Sequence, residues 1–206
     1  MNQSQSNSIT AIILAGGQSS RMGTDKALIQ ISGIPWLQKI STIATKYIDR
    51  VYIVTSRPER YQHIVPETCH FIREVSSSEL NLLRGPLVGF ACGLAKVNTE
   101  WTLLLACDLP LLNESYLKKS LNYLELVPND AIATLPKSDR GWEPLSGFYR
   151  TRCLPLLQDF IKTGGRSFQS WLSLHYIYEL PVSDRKILFN CNTPEDLEKL
   201  KKLQNF

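Results

Sequence analysis

This 206-residue chain lacks long apolar runs: none approaches the ~20 residues that a membrane-spanning helix needs. A membrane partner is therefore not expected. Met1–Ser8 has neither the basic start nor the apolar stretch of an export signal. It reads as a flexible polar N-terminal tail ahead of a single domain over residues 9–206. Runs of five or more basic residues are also missing, so a net charge of +4 does not point to nucleic acid. The five cysteines, Cys69, Cys92, Cys107, Cys153 and Cys191, form no Cys-x-x-Cys pair and mostly lie in apolar runs. That argues against a disulfide framework or a zinc site and for reduced core thiols in a cytoplasmic protein. The three histidines, His63, His70 and His175, have neither metal-ligand spacing nor a nearby Ser or Cys partner, and no role is assigned to them.

What is present is an alternation of strand and helix patterns within a composition of 43% hydrophobic residues, enough for a sizeable core. Ile9–Leu14, Val51–Thr55 and Trp101–Ala106 are short apolar runs of the kind buried on both faces of a parallel sheet. Ala27–Ile31, His70–Val75, Ala131–Leu135, Leu145–Tyr149 and Ile177–Val182 read as weaker strands. Helices are expected after Pro35, after Pro86, from Asn113–Glu114 and around Leu154–Ile161. A last helix starts at Thr193-Pro194, with Asp196 reaching back as in a capping box. The expected architecture is a three-layer α/β/α, Rossmann-like, mostly parallel sheet.

The chemistry gathers in Ile12–Lys26, where a strand enters a loop holding Gly16, Gly17 and Gly23 with Arg21 and Lys26. Glycines let backbone amides close around an anion, and a guanidinium plus an ammonium make that anion a phosphate chain. No Gly-Lys-Ser/Thr follows, and the glycine spacing is not that of the dinucleotide fingerprint. A plain turn would account for the glycines but not for the two cations. Asp108 ends the strongest strand, where open sheets dock ligands, and a carboxylate beside phosphates is how Mg²⁺ is usually held. Ser56 follows the second strand at a similar place. In Asn190–Asp196, helix capping alone would explain Asn192 and Thr193. Arg140, Arg150, Arg152, Lys162 and Arg166 form a loose basic set, read mainly as solvated surface.

Leu14-Ala15-Gly16-Gly17-x-Ser19-x-Arg21-Met22-Gly23-x-Asp25-Lys26 resembles the signature of the glycosyltransferase-A-like nucleotidyltransferases, whose fold is of the nucleotide-diphospho-sugar transferase type. Together with Gly85-Pro86-Leu87-Val88-Gly89, Cys107-Asp108-Leu109-Pro110 and Asn190-x-Asn192-Thr193-Pro194, it resembles the molybdenum cofactor guanylyltransferases. The resemblance implies transfer of GMP from GTP to the terminal phosphate of molybdenum-molybdopterin, with diphosphate released and Mg²⁺ required. By the same carry-over, Leu14, Ala15, Gly16, Gly17 and Ser56 hold the nucleotide, and Arg21 and Lys26 stabilise the phosphates. Asp108 holds the metal, and Asn190 and Asn192 lie on the molybdopterin side. Molybdenum cofactor insertion proteins and apo-molybdoenzymes are the protein partners this implies.

One departure stands out. The family places an aspartate upstream of Gly-Pro-Leu-x-Gly as a nucleotide contact, whereas no aspartate lies between Asp49 and Asp108 here. Glu74 and Glu79 are the carboxylates nearest that place. The rival readings are a CTP-dependent cytidylyltransferase, another nucleotidyltransferase of the same fold, or a non-catalytic carrier of nucleotide or cofactor. Gly16-Gly17 favours guanine over the Ala-Gly of the relatives, and retention of Lys26 and Asp108 favours chemistry over carriage.

Overall fold

The computed structural model describes residues 9–16, 24–74 and 85–204. The N-terminal tail, Gly17, Arg21, Gly23 and the polar segment Ser76–Asn81, with Glu79, lie outside the described residues.

In chain order, β1 (Ile9–Leu14) leads through a 3-10 turn at Lys26–Leu28 to a small hairpin of β2 (Gln30–Ile31) and β3 (Ile34–Pro35). Helix α1 (Trp36–Thr45), β4 (Arg50–Thr55) and β5 (Cys69–Arg73) follow, then α2 (Pro86–Leu94) and β6 (Trp101–Ala106). Next come α3 (Glu114–Tyr123), β7 (Ala133–Leu135), and a second hairpin of β8 (Lys137–Ser138) and β9 (Gly141–Trp142). The chain ends with β10 (Ser146–Arg150), α4 (Leu154–Lys162), α5 (Phe168–Leu172), β11 (Ile177–Glu179) and α6 (Pro194–Gln204).

The main sheet has seven strands in the order β11-β7-β10-β6-β1-β4-β5. Every pairing is parallel except those of β10, which runs antiparallel between β6 and β7. Because side chains alternate along a strand, β1 sends Ala11 and Ile13 to one face and Ile12 and Leu14 to the other. The first face packs on Leu37 and Ile40 of α1 and Leu117 of α3, and the second on Phe90 and Leu94 of α2 and Leu157 of α4. Helices on both faces make the expected three layers. A third cluster, Trp36 with Cys191 and Leu200, brings the C-terminal segment against the start of α1. No helix among the described residues is long and apolar enough to cross a membrane.

The expected strand Ala27–Ile31 is only partly one. Asp25 caps the 3-10 turn by accepting from Ala27 N at 3.2 Å, and pairing begins at Gln30. Neither the β8–β9 hairpin, of two-residue strands, nor the five-residue α5 is among the expected elements, since both are too short for a periodic signal.

The capping box at α6 is as expected. Thr193 Oγ1 accepts from Asp196 N at 3.2 Å, while Asp196 Oδ2 accepts from the backbone amides of Asn192 and Thr193 at 3.0 and 3.1 Å. The Asn192 amide first, and then Thr193, hold the Asp196 carboxyl below the usual range. Asp196→Ala is expected to cost about 1 kcal/mol, the usual loss for a helix cap. A depressed pKa makes this contribution complete above the unfolded value of about 3.9, and it fades as pH falls through the folded one. Urea unfolding at pH 7 and pH 3 checks this, with the gap between variant and parent shrinking at pH 3.

Candidate active site

Three segments that are distant in sequence meet where β1 and β6 end. The backbone of β1 stays locked to its neighbours past its last residue. Ala15 N donates to Val54 O at 3.0 Å, and Cys107 N donates to Leu14 O at 3.2 Å. Leu14, Ala15 and Gly16 therefore occupy the carboxyl edge of the sheet between β4 and β6. The chain is described again from Thr24, where Asp25 acts as a hub. Its Oδ2 accepts from Tyr61 Oη at 2.8 Å and lies 3.3 Å from the Arg60 guanidinium, while Oδ1 caps the turn that carries Lys26.

Strand β6 is buried at all six positions and delivers Asp108 to the same edge. Lys26 Nζ stands 3.4 Å from Asp108 Oδ2, and their side chains are 18% and 19% exposed. The other carboxylate oxygen, Oδ1, is buried without a hydrogen-bond partner among the described residues. Burial pushes the Asp108 carboxyl above its ordinary value, against the pull of Lys26. The third segment is Asn190–Asn192. Cys191 N donates to Asp108 O at 3.2 Å, and Lys26 Nζ donates to Asn192 Oδ1 at 2.5 Å. Asn190 lies half-buried two residues before Asn192.

Glu74 lies on the opposite side of Gly16. Its backbone N–H extends the β4–β5 ladder by donating to Thr55 O at 2.9 Å. A Cβ added to Gly16 would lie 3.7 Å from Glu74 Oε2, and one added to Gly89 would lie 3.7 Å from Oε1. The carboxylate thus stands between the β1 loop and the first turn of α2, where helix amides favour negative charge. Gly85, with φ of +133°, makes the entry into α2 that brings Gly89 so close. Ser56 is exposed on this side, its carbonyl accepting from Arg73 Nη1 at 3.0 Å.

Of the residues expected at the site, Leu14, Ala15, Gly16, Lys26, Asp108 and Asn192 share one edge, with Ser56 and Asn190 flanking it; Gly17 and Arg21 lie outside the described residues. Asp25, Arg60 and Tyr61 were missed as supports. The adjacency of Asp25 to Lys26 was the one available signal. The basic set in the C-terminal third is not one surface. Arg150 is 5% exposed, pairs with Glu100 and lies 4.3 Å from the Trp101 ring, at the opposite end of β6 from Asp108.

The Asp108 oxygen buried without a partner is the kind of hard ligand that Mg²⁺ takes, since that ion is commonly held by one or two carboxylates with phosphates supplying further oxygens. No cluster of three or more Asp, Glu, His or Cys exists among the described residues. Asp108 is the residue that would hold the ion.

Comparison with known proteins gives the family and the fold. Residues 11–176 match the family model described as MobA-like NTP transferase domain. A relative from Trichormus variabilis, named "Probable molybdenum cofactor guanylyltransferase", is 56% identical over 191 residues, covering 93% of this chain and 89% of its own. One from Syntrophotalea carbinolica, named molybdenum cofactor guanylyltransferase, is 31% identical over 197 residues, covering 92% and 89%. The solved structure of molybdopterin-guanine dinucleotide biosynthesis protein A from Archaeoglobus fulgidus superposes with a TM-score of 0.76 at 20% identity, over 95% of this chain and 98% of that one. At that identity the superposition shows the fold.

Asp25→Ala removes the acceptor for Tyr61, the partner of Arg60 and the cap of the Lys26 turn. It is expected to cost about 1–2 kcal/mol of stability and about tenfold in turnover. Tyr61→Phe removes one of the three contacts and is expected to cost under about 1 kcal/mol. Thermal unfolding and steady-state kinetics of the two variants check this.

Proposed function

The chain belongs to the MobA-like NTP transferase family, and from that membership we propose the reaction it carries out. GTP and molybdenum-bound molybdopterin give the guanine dinucleotide form of the cofactor and diphosphate. The activity is nucleotidyl transfer, as the names of the relatives state for those proteins. The observation that carries the reading is Lys26 beside Asp108 at the carboxyl edge, next to Gly16.

A phosphate oxygen of molybdopterin attacks the α-phosphorus of GTP in line. A new P–O bond forms as the bond to the β-phosphate breaks, and the electron pair leaves with diphosphate. Positioning and charge neutralisation are what the protein contributes. The ends of β1 and β6, tied together through Leu14 and Cys107, hold Ala15 and Gly16 against the nucleotide. Lys26 turns from Asp108 and Asn192 to the phosphates and meets the charge that develops on the leaving group. Arg21 joins it on the strength of the family motif. Mg²⁺ bound at Asp108 would add further neutralisation of phosphate oxygens.

The two thiols beside the site are not suited to a covalent intermediate. Burial pushes Cys191 up to about 11 and Cys107 higher still, so both stay neutral thiols and poor nucleophiles at pH 7. Glu74 takes the place of the missing family aspartate and faces the base. A carboxylate accepts from both N–H groups of the guanine Watson–Crick edge, whereas cytosine offers one donor there. Cytoplasmic synthesis and hand-over to insertion proteins and apo-molybdoenzymes complete the proposal; the first is supported by Cys69, Cys107, Cys153 and Cys191, buried cysteines that form no disulfide among the described residues.

Incubation with Mg²⁺, molybdopterin-loaded carrier and either GTP or CTP tests the reading: the guanine product is expected, and a preference for CTP overturns it. Asp108→Ala is expected to abolish transfer while part of GTP binding survives. Lys26→Ala should lose a factor on the order of 10² or more in rate, and full activity would remove the lysine from the mechanism. Glu74→Gln should raise KM for GTP about tenfold with kcat little changed. An unchanged KM would move the base away from Glu74.

A further inference from the structure

Asn192 belongs to the acceptor side by family resemblance, yet its side-chain oxygen is engaged toward the nucleotide. Lys26 donates to the neutral amide oxygen of Asn192 at 2.5 Å and lies at the longer 3.4 Å from the Asp108 carboxylate. Left to electrostatics alone, a lysine between an amide and a carboxylate closes on the carboxylate. Here the ammonium bridges both oxygens, and the backbone holds the amide in place. Asn192 N is fixed to Asp196 Oδ2 at 3.0 Å, Cys191 N to Asp108 O at 3.2 Å, and the fully buried Cys191 packs with Trp36 and Leu200. The amide is therefore presented from a rigid frame.

We propose that Asn192 is a positioning residue for the nucleotide half of the reaction, acting through Lys26. Its oxygen shares the ammonium with Asp108, so that the ion pair stays loose enough for a cation to take the carboxylate and for phosphate to take the ammonium. Without that oxygen, Lys26 closes on Asp108 and each masks the other from GTP and Mg²⁺. The inference rests on the reading that GTP is the nucleotide substrate, and it assigns Asn192 an effect that exists before any acceptor binds.

The test is equilibrium binding of GTP with Mg²⁺ and no acceptor, to the full-length protein and to Asn192→Ala, Lys26→Ala and the double variant. Asn192→Ala is expected to weaken GTP binding about tenfold, the scale of one charge-assisted hydrogen bond. In the Lys26→Ala background the same change should cost less than about twofold, because a residue acting through another loses its effect when that other is gone. The capping box uses the backbone amide of residue 192, so the melting temperature of Asn192→Ala should stay within about 3 °C of the parent. Asn192→Leu, which fills similar space without the oxygen, should show the same loss of binding. Unchanged GTP binding in Asn192→Ala, with the defect confined to KM for the acceptor, overturns the inference. Losses that multiply in the double variant overturn it too. A parent protein that binds no GTP refutes the functional reading itself, and the inference falls with it.

Discussion

A lysine and an aspartate, each about four-fifths withdrawn from water, stand side by side at the end of a strand buried at all six positions. Charges in that position are costly unless compensated, and breaking such a pair from one side leaves an uncompensated charge behind. Three described segments support the arrangement. Asp25, braced by Tyr61 and Arg60, fixes the turn under Lys26; β6 fixes Asp108; the C-terminal segment closes over both through Cys191 and Asn192. A triphosphate and its cation would complete this arrangement. An anion would take over the lysine, and a cation would take over the carboxylate.

The layered core makes that edge dependable. Strand β1 lies between β4 and β6 with alternate side chains sealed by helices on each face, so its last carbonyl and the next amide can bridge to both neighbours. Gly93 in α2 shows how tight the sealing is: an added Cβ there would come within 3.0 Å of Ile12 and Val54. Close packing of this kind leaves little slack in where Gly16, Gly89 and Glu74 converge. Backbone bonds set Ala15, Glu74, Cys107 and Cys191 in place, and side-chain contacts of Asp25 with Tyr61 and of Lys26 with Asp108 and Asn192 complete the site.

Much of this was legible in the sequence, for physical reasons that differ by element. The strands β1, β4 and β6 are apolar on both faces and therefore stood out, and Asp108 was found from its place after β6. The cap at Thr193–Asp196 was readable because capping is local. What escaped was non-local. The antiparallel setting of β10 depends on strand order, which no five-residue run encodes. The burial of Arg150 against Trp101 and Glu100 comes from a pairing across fifty positions, so its charge was misread as surface. The approach of Glu74 to Gly16 depends on the β4–β5 ladder, which neither strand shows alone. The contact of Lys26 with Asn192 spans 166 positions and could not be read from either motif alone.

The central claim is that Lys26 and Asp108 hold each other until a nucleotide and its cation separate them. A crystal structure of the protein with GTP and Mg²⁺ tests it most directly. The account predicts Lys26 Nζ within hydrogen-bonding distance of a phosphate oxygen, the cation on Asp108, and the ion pair opened. A nucleotide bound elsewhere, with Lys26 and Asp108 still paired, would contradict it.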